Sequence, residues 1–209
     1  MSNEDAFLKF FGPRMKTAPK ITVPSDQMEI MRKFTEQKWK RKIQEYPQDA
    51  RNIVDRNVIG ILGEYAVLAH YGKTEYLDTS IGDSREYQAP DLWDTPKNKP
   101  TLPNPRIPVD VKTSRIGNVP LVKRGHKTVV LDNVTCQCPN IICVSNFKDV
   151  WLLGIASPTT LRKFVNDALI KNANNPDKTA FYGGDQLEDM PKTWEELRER
   201  CKALVEKRP

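Results

Sequence analysis

Two short stretches carry residues whose types and spacing suit chemistry. Pro90-Asp91-Leu92 holds a lone acid against an apolar neighbour, and Val109-Asp110-Val111-Lys112 holds an acid and a lysine two residues apart in an apolar strand. Successive side chains of a strand point to opposite faces. Val109 and Val111 are then expected to face a core, while Asp110 and Lys112 share the other face. If the segments of Asp91 and Asp110 pair as a hairpin, two carboxylates come close enough to repel each other unless a cation or a proton intervenes. Oxygen ligands with no histidine or cysteine beside them favour magnesium or manganese over zinc. Each piece also has a bland account. A half-buried edge strand shows the same alternation with both charges wetted, and aspartate forms turns through its own side chain.

A third carboxylate, Glu64, must be positioned by a helix. From Arg51 to Tyr71 the residues Ile53, Val54, Val58, Ile61, Leu62, Tyr65 and Leu68 recur at spacings of mostly three or four, the helical period. Gly72 is a normal stop. Gly60 and Gly63 lie inside this pattern, where each costs about 1 kcal/mol relative to alanine, and close packing against a neighbouring backbone would explain them. Glu64 falls at or beside the packed face by the three/four rule. It either reaches water at the rim of that face or serves as a ligand, direct or through water, of a metal held by Asp91 and Asp110.

These groups suit phosphodiester hydrolysis. That reaction needs an activated water and neutralisation of a highly anionic transition state, and a bound divalent ion supplies both. A lysine on the same strand face adds fixed positive charge where negative charge develops.

The order Gly63-Glu64-Tyr65-Ala66-Val67, then Pro90-Asp91-Leu92, then Val109-Asp110-Val111-Lys112-Thr113 resembles the PD-(D/E)XK nuclease superfamily, over roughly residues 51–165. The resemblance implies an α/β fold with a restriction-endonuclease-like core, a mixed central sheet flanked by helices. It implies that Asp91 and Asp110 coordinate magnesium (manganese substituting), that Glu64 assists, and that the Val111 carbonyl completes the metal shell. Lys112 would orient or help deprotonate the attacking water. One departure is the proline-rich insert between the two acids, where many members have a tight turn. The expected activity is a metal-dependent deoxyribonuclease, read first as an endonuclease. An exonuclease, or a non-catalytic nucleic-acid-binding or regulatory protein on the same fold, is the alternative. Many enzymes of the group work as dimers, so a homodimer joins the expectations.

Composition bounds the rest. The chain has 209 residues, 38% hydrophobic and 29% charged, with a net charge of +6. That suits one domain with a substantial core, and the charge favours a polyanionic partner such as DNA. Arg115, Lys123, Arg124 and Lys127 follow the Asp-x-Lys strand, and Lys97 and Lys99 decorate the proline-rich segment 94–108; all six are candidates for nucleic-acid contact. The segment itself is a candidate DNA-gripping or gating loop. Lys38, Lys40, Arg41 and Lys42 read as a solvated helix face. No apolar run approaches the ~20 residues that span a bilayer, and Met1-Ser-Asn-Glu-Asp lacks the features of a secretory signal, so no membrane and a cytoplasmic location are expected. Cys136-x-Cys138, Cys143 and Cys201 lack zinc-site spacing and are expected to be free thiols.

Along the chain, residues 1–24 read as a mobile or surface-draped arm broken by Gly12-Pro13, Pro19 and Pro24, and residues 25–209 as a single domain. Ser25 is expected to cap a helix running to about Tyr46. Lys73 to Tyr87 reads as an irregular strand. Lys127 to Leu131, Asn140 to Ser145 and Val150 to Ala156 read as strands. Ser157-Pro158 starts a helix carrying Leu161, Phe164, Val165, Ala168 and Leu169, and Asn172 to Asp189 reads as loop. Thr193 and Glu196 form a capping box for a last helix, about 194–207, with Leu197, Cys201, Leu204 and Val205 inward. Helices around strands in this order predict an α/β sandwich.

Overall fold

The computed structural model describes residues 2–77, 91–94, 106–123, 128–131, 134–166 and 178–207. The chain opens with helix α1 (Asn3–Met15), which corrects the expectation of a draped arm. Ser2 and Asp5 form a capping box, with the Asp5 N–H donating to Ser2 Oγ at 3.1 Å and the Ser2 N–H to Asp5 Oδ2 at 3.2 Å. Ala6, Phe7 and Phe11 are buried, and burying each phenylalanine contributes about 1.5–3 kcal/mol. Pro13 sits in the last turn, where its missing N–H removes a bond to the carbonyl four residues back and the helix ends two residues later. The Arg14 guanidinium donates to the carbonyls of Leu153 at 2.7 Å and Leu187 at 2.8 Å, so the helix end is tied to the sheet.

Strand β1 (Lys20–Thr22) leads to α2 (Ser25–Lys38) and α3 (Lys40–Glu45). The single helix expected here is broken at Trp39, and Ser25 is its first helical residue, with Pro24 in the cap position and no side-chain cap bond. The break has a geometric reason. Phe34 and Ile43 are nine residues apart, half a turn out of phase in one continuous helix, yet both pack on the same core.

Helix α4 (Ala50–His70) follows as the periodicity predicts. Thr74–Tyr76 is a 3-10 turn rather than a strand, and the rest of the expected strand up to Tyr87 lies outside the described residues. The short strands β2 (Leu92–Trp93) and β3 (Arg106–Ile107) pair antiparallel, and β4 (Asp110–Arg115) comes next. Strands β5 (Leu121–Lys123), β6 (Thr128–Leu131) and β7 (Val134–Gln137) precede β8 (Asn140–Ser145) and β9 (Asp149–Ala156). The strands expected near 127–131, 140–145 and 150–156 are therefore present.

Helix α5 (Pro158–Lys163) has Ser157 as its cap but stops earlier than expected. The next residues form β10 (Val165–Asn166), which pairs with β11 (Lys178–Phe181) inside the stretch read as loop. Val165 thus belongs to a sheet instead of a helix face, and Ala168 and Leu169 lie outside the described residues. Helix α6 (Trp194–Ala203) carries the expected capping box, with Leu197 and Cys201 buried, and β12 (Glu206–Lys207) ends the described chain.

The central sheet has the order β1-β9-β8-β4. The β1/β9 and β9/β8 pairs are antiparallel and β8/β4 is parallel, so the sheet is mixed. One face packs on α2, α4 and α6 through Met31, Leu62, Val111, Ile141, Leu152 and Leu197. The other packs on α1 and the β10-β11-β5 sheet through Phe7, Phe11, Ile142, Val144, Leu153 and Phe181. The architecture is a mixed α/β fold with helices on both faces, and no helix among the described residues is long and apolar enough to cross a membrane. The turn between β8 and β9 places Phe147 at φ 75°, a region that usually requires glycine; its ring packs against the larger core.

Candidate active site

Strand β4 is the end strand of the central sheet among the described residues, and its alternation decides the geometry. Val109 and Val111 are buried toward α4 as expected. Asp110 and Lys112 alternate to the opposite face, in register with Asn140 and Ile142 of β8. Asp110 is only 1% exposed, so the wetted edge-strand account fails for it. A buried carboxylate needs hydrogen-bonded partners, and three contacts supply them. Lys112 Nζ lies 2.8 Å from Asp110 Oδ1 and 2.7 Å from Oδ2, and Asn140 Nδ2 donates to Oδ2 at 2.8 Å. The lysine side chain is 29% exposed, so it connects a buried anion to the surface.

Asp91 reaches the same strand. The expected hairpin forms, with Leu92 opposite Ile107 and Trp93 opposite Arg106. Leu92 and Ile107 are both buried in the core, which gives the pairing an apolar driving force. The Asp91 N–H donates to the Val109 carbonyl at 3.1 Å, and Asp91 Oδ2 accepts the Val111 N–H at 2.7 Å. The proline-rich insert leaves and returns through this pairing, so it does not prevent Asp91 from docking beside Asp110. Asp94, at the exit of β2, is held by α6: Trp194 Nε1 donates to its Oδ1 at 3.2 Å, and Arg198 pairs with its Oδ2 at 2.9 Å. The C-terminal helix thereby fixes the base of the hairpin that carries Asp91.

Gly63 shows how α4 approaches β4. A Cβ there would stand 1.8 Å from Thr113 Oγ1 and 3.2 Å from Val111 Cγ1, so only glycine admits this contact. Gly60 has open space around the same position, and the close packing expected of both glycines belongs to Gly63 alone. Glu64 is the next residue and half-buried. Helix α4 covers the Val111 and Thr113 face of β4, the face opposite Asp110 and Lys112.

The expected nucleic-acid contacts divide. Arg115 is exposed at the end of β4, on the α4 side by alternation, with its guanidinium 4.9 Å from the centre of the Phe147 ring. Lys123 ends β5, opposite Lys178. Lys97, Lys99, Arg124 and Lys127 lie outside the described residues, as does nearly all of the proline-rich segment.

The oxygen donors at β4 suit a hard divalent ion. Among the described residues, no three His, Cys, Asp or Glu side chains gather into a metal cage. Asp91, Asp110 and the Val111 carbonyl are the groups at β4 that could hold such an ion, with water completing the sparse protein ligation typical of magnesium. None of the four cysteines is in a disulfide and all are buried, in keeping with the expected thiols. His70 packs edge-on against Tyr71, with ring centroids 4.7 Å apart.

Asn140 escaped the sequence reading. It opens an apolar strand, and its partner Asp110 lies thirty positions earlier in the chain; the parallel pairing that joins them leaves no local signal. Among known proteins, no family model, no curated protein and no solved structure matches this chain.

Proposed function

We propose that the protein is a magnesium-dependent nuclease that hydrolyses phosphodiester bonds in DNA, acting as an endonuclease on a restriction-endonuclease-like core. The observation that carries this reading is the docking of Asp91 on β4 beside the buried Asp110–Lys112 pair. Asp91, Asp110 and the Val111 carbonyl would hold the ion, with Glu64 assisting from α4. When bound, magnesium lowers the pKa of a coordinated water and clamps a phosphate oxygen. Lys112 holds an ammonium at the mouth of the site, where it orients the attacking water and offsets charge on the reacting phosphate. Lys112 and Asn140 both donate to the Asp110 carboxylate. The net charge of +6 supports an anionic polymer as substrate. Arg115, Lys123, Arg124, Lys127, Lys97 and Lys99 are the proposed contacts, and a homodimer is the proposed assembly.

A second reading rests on one observation: Asn140 and Lys112 together contact both oxygens of Asp110 from within the protein. On that reading the pair is structural and the protein binds nucleic acid without cutting it. A cleavage assay with magnesium or manganese on linear, circular, single-stranded and branched DNA separates the two. Cleavage that EDTA abolishes, and that Asp110→Ala and Lys112→Ala each lower on the order of 100-fold or more, supports the nuclease. Cutting of the circular substrate assigns an endonuclease. Undiminished activity in both variants refutes the proposed site, and binding without metal-dependent cleavage favours the second reading.

A further inference from the structure

We infer that Asn140 is a positioning residue that sets the orientation of the Asp110 carboxylate, and through it the affinity of the site for a divalent cation; this rests on the proposed nuclease reading. Asn140 is 2% exposed and sits directly opposite Asp110 in the parallel β4–β8 pair. The preceding residue fixes the backbone as well, since the Asp110 N–H donates to the Pro139 carbonyl at 3.0 Å. The amide therefore cannot drift relative to the acid. An ionised carboxylate only accepts hydrogen bonds, so the Nδ2 end of Asn140 must face it, and does so at 2.8 Å from Oδ2.

The two anchors of Asp110 differ in kind. Lys112 is a flexible cation at the surface, and its role in the proposed reaction takes it toward water and phosphate. Asn140 is neutral, buried and rigid, and it touches neither. The terminal torsion of an aspartate has a broad profile, so losing the Asn140 contact widens the range over which the carboxylate turns as the lysine moves. Asn140 keeps Oδ2 engaged whatever the position of Lys112. Because the amide carries no charge, it orients the acid without competing for the cation. Such outer partners of a ligating carboxylate typically change metal affinity or activity by 10- to 100-fold when removed.

Three variants test this. Asn140→Asp keeps the shape but turns the donor into a second anion; Asn140→Ala removes the donor; Asn140→Ser retains a shorter one. Manganese binding, read by electron paramagnetic resonance without substrate, should weaken about 10- to 100-fold in Asn140→Ala, with partial recovery in Asn140→Ser. The same variants should lower kcat while KM for DNA stays near that of the parent protein. Urea unfolding of each variant identifies those that fold, and the folded ones decide the matter. Parent-like manganese affinity and kcat in folded Asn140→Ala or Asn140→Ser overturns the role of Asn140 and leaves the nuclease reading intact. A parent protein that neither binds manganese nor cleaves DNA overturns both.

Discussion

Replacing Gly63 by alanine sets two known effects against each other on one helix. Alanine favours the interior of α4 by about 1 kcal/mol over glycine. Its methyl carbon, however, would lie 1.8 Å from Thr113 Oγ1, 3.1 Å from Thr113 Cβ and 3.2 Å from Val111 Cγ1. Comfortable contact is about 3.5 Å, so the helix and strand must separate or Thr113 must turn. A β-branched side chain is stiff about its first torsion, and turning Thr113 leaves its Cβ and Val111 where they are. Overpacking of this kind costs ~1–3 kcal/mol. We place Gly63→Ala toward the upper end and expect a net loss of about 1–2 kcal/mol. With a urea m-value of about 2 kcal/mol per M, the unfolding midpoint should fall by roughly 0.5–1 M. Gly60→Ala on the same helix meets nothing within 4 Å, so it should raise the midpoint by about 0.5 M. Adding Thr113→Ala to Gly63→Ala should recover part of the loss, as coupled neighbours do. A Gly63→Ala protein at least as stable as its parent, or a Gly60→Ala protein equally destabilised, would refute the close α4–β4 contact and with it the placement of Glu64.

Burial raises the pKa of the Cys143 thiol and pushes Cys201 up to about 12, with Cys138 and Glu188 adding to the second shift; because thiolate is the reactive form, a thiol reagent at neutral pH should modify none of the four buried cysteines rapidly until denaturant is added, and fast labelling of any of them counts against this core. Burial lowers the His70 pKa below its ordinary value, so as pH falls the unfolded chain takes up the proton first. The resulting stability is complete above about pH 6.5 and drains as pH drops toward the folded-state value; His70→Gln should flatten the fall in urea midpoint over that window, and parallel curves for both proteins would exclude the assignment.

Much of the site was legible from local pattern. The spacing from Ile53 to Leu68 identified α4, and the Val-Asp-Val-Lys alternation assigned faces correctly because a strand's period leaves no choice. The Thr193–Glu196 box is legible in the sequence, whereas the helix that the Ser2–Asp5 box starts was missed because Gly12-Pro13 read as breakers. Pro13 removes a bond of the helix ladder, and α1 ends two residues after it. What sequence could not supply was pairing at a distance. Asp110 opposite Asn140 and Val165 opposite Phe181 depend on how separate segments meet. The break at Trp39 is of the same kind, since it answers to the core that Phe34 and Ile43 share.

Asp91 also guards β4 from its neighbours. An end strand offers unpaired N–H groups to any other extended chain, and proteins block such edges to avoid self-association. Here the Val111 N–H is taken by the Asp91 carboxylate, so one acid serves both the candidate cation site and the solubility of the sheet. Neutralising Asp91 uncovers a hydrogen-bond donor on a strand flanked by valines. Loss of cleavage in an Asp91 variant therefore speaks to chemistry only in material shown by light scattering to keep the parent's size.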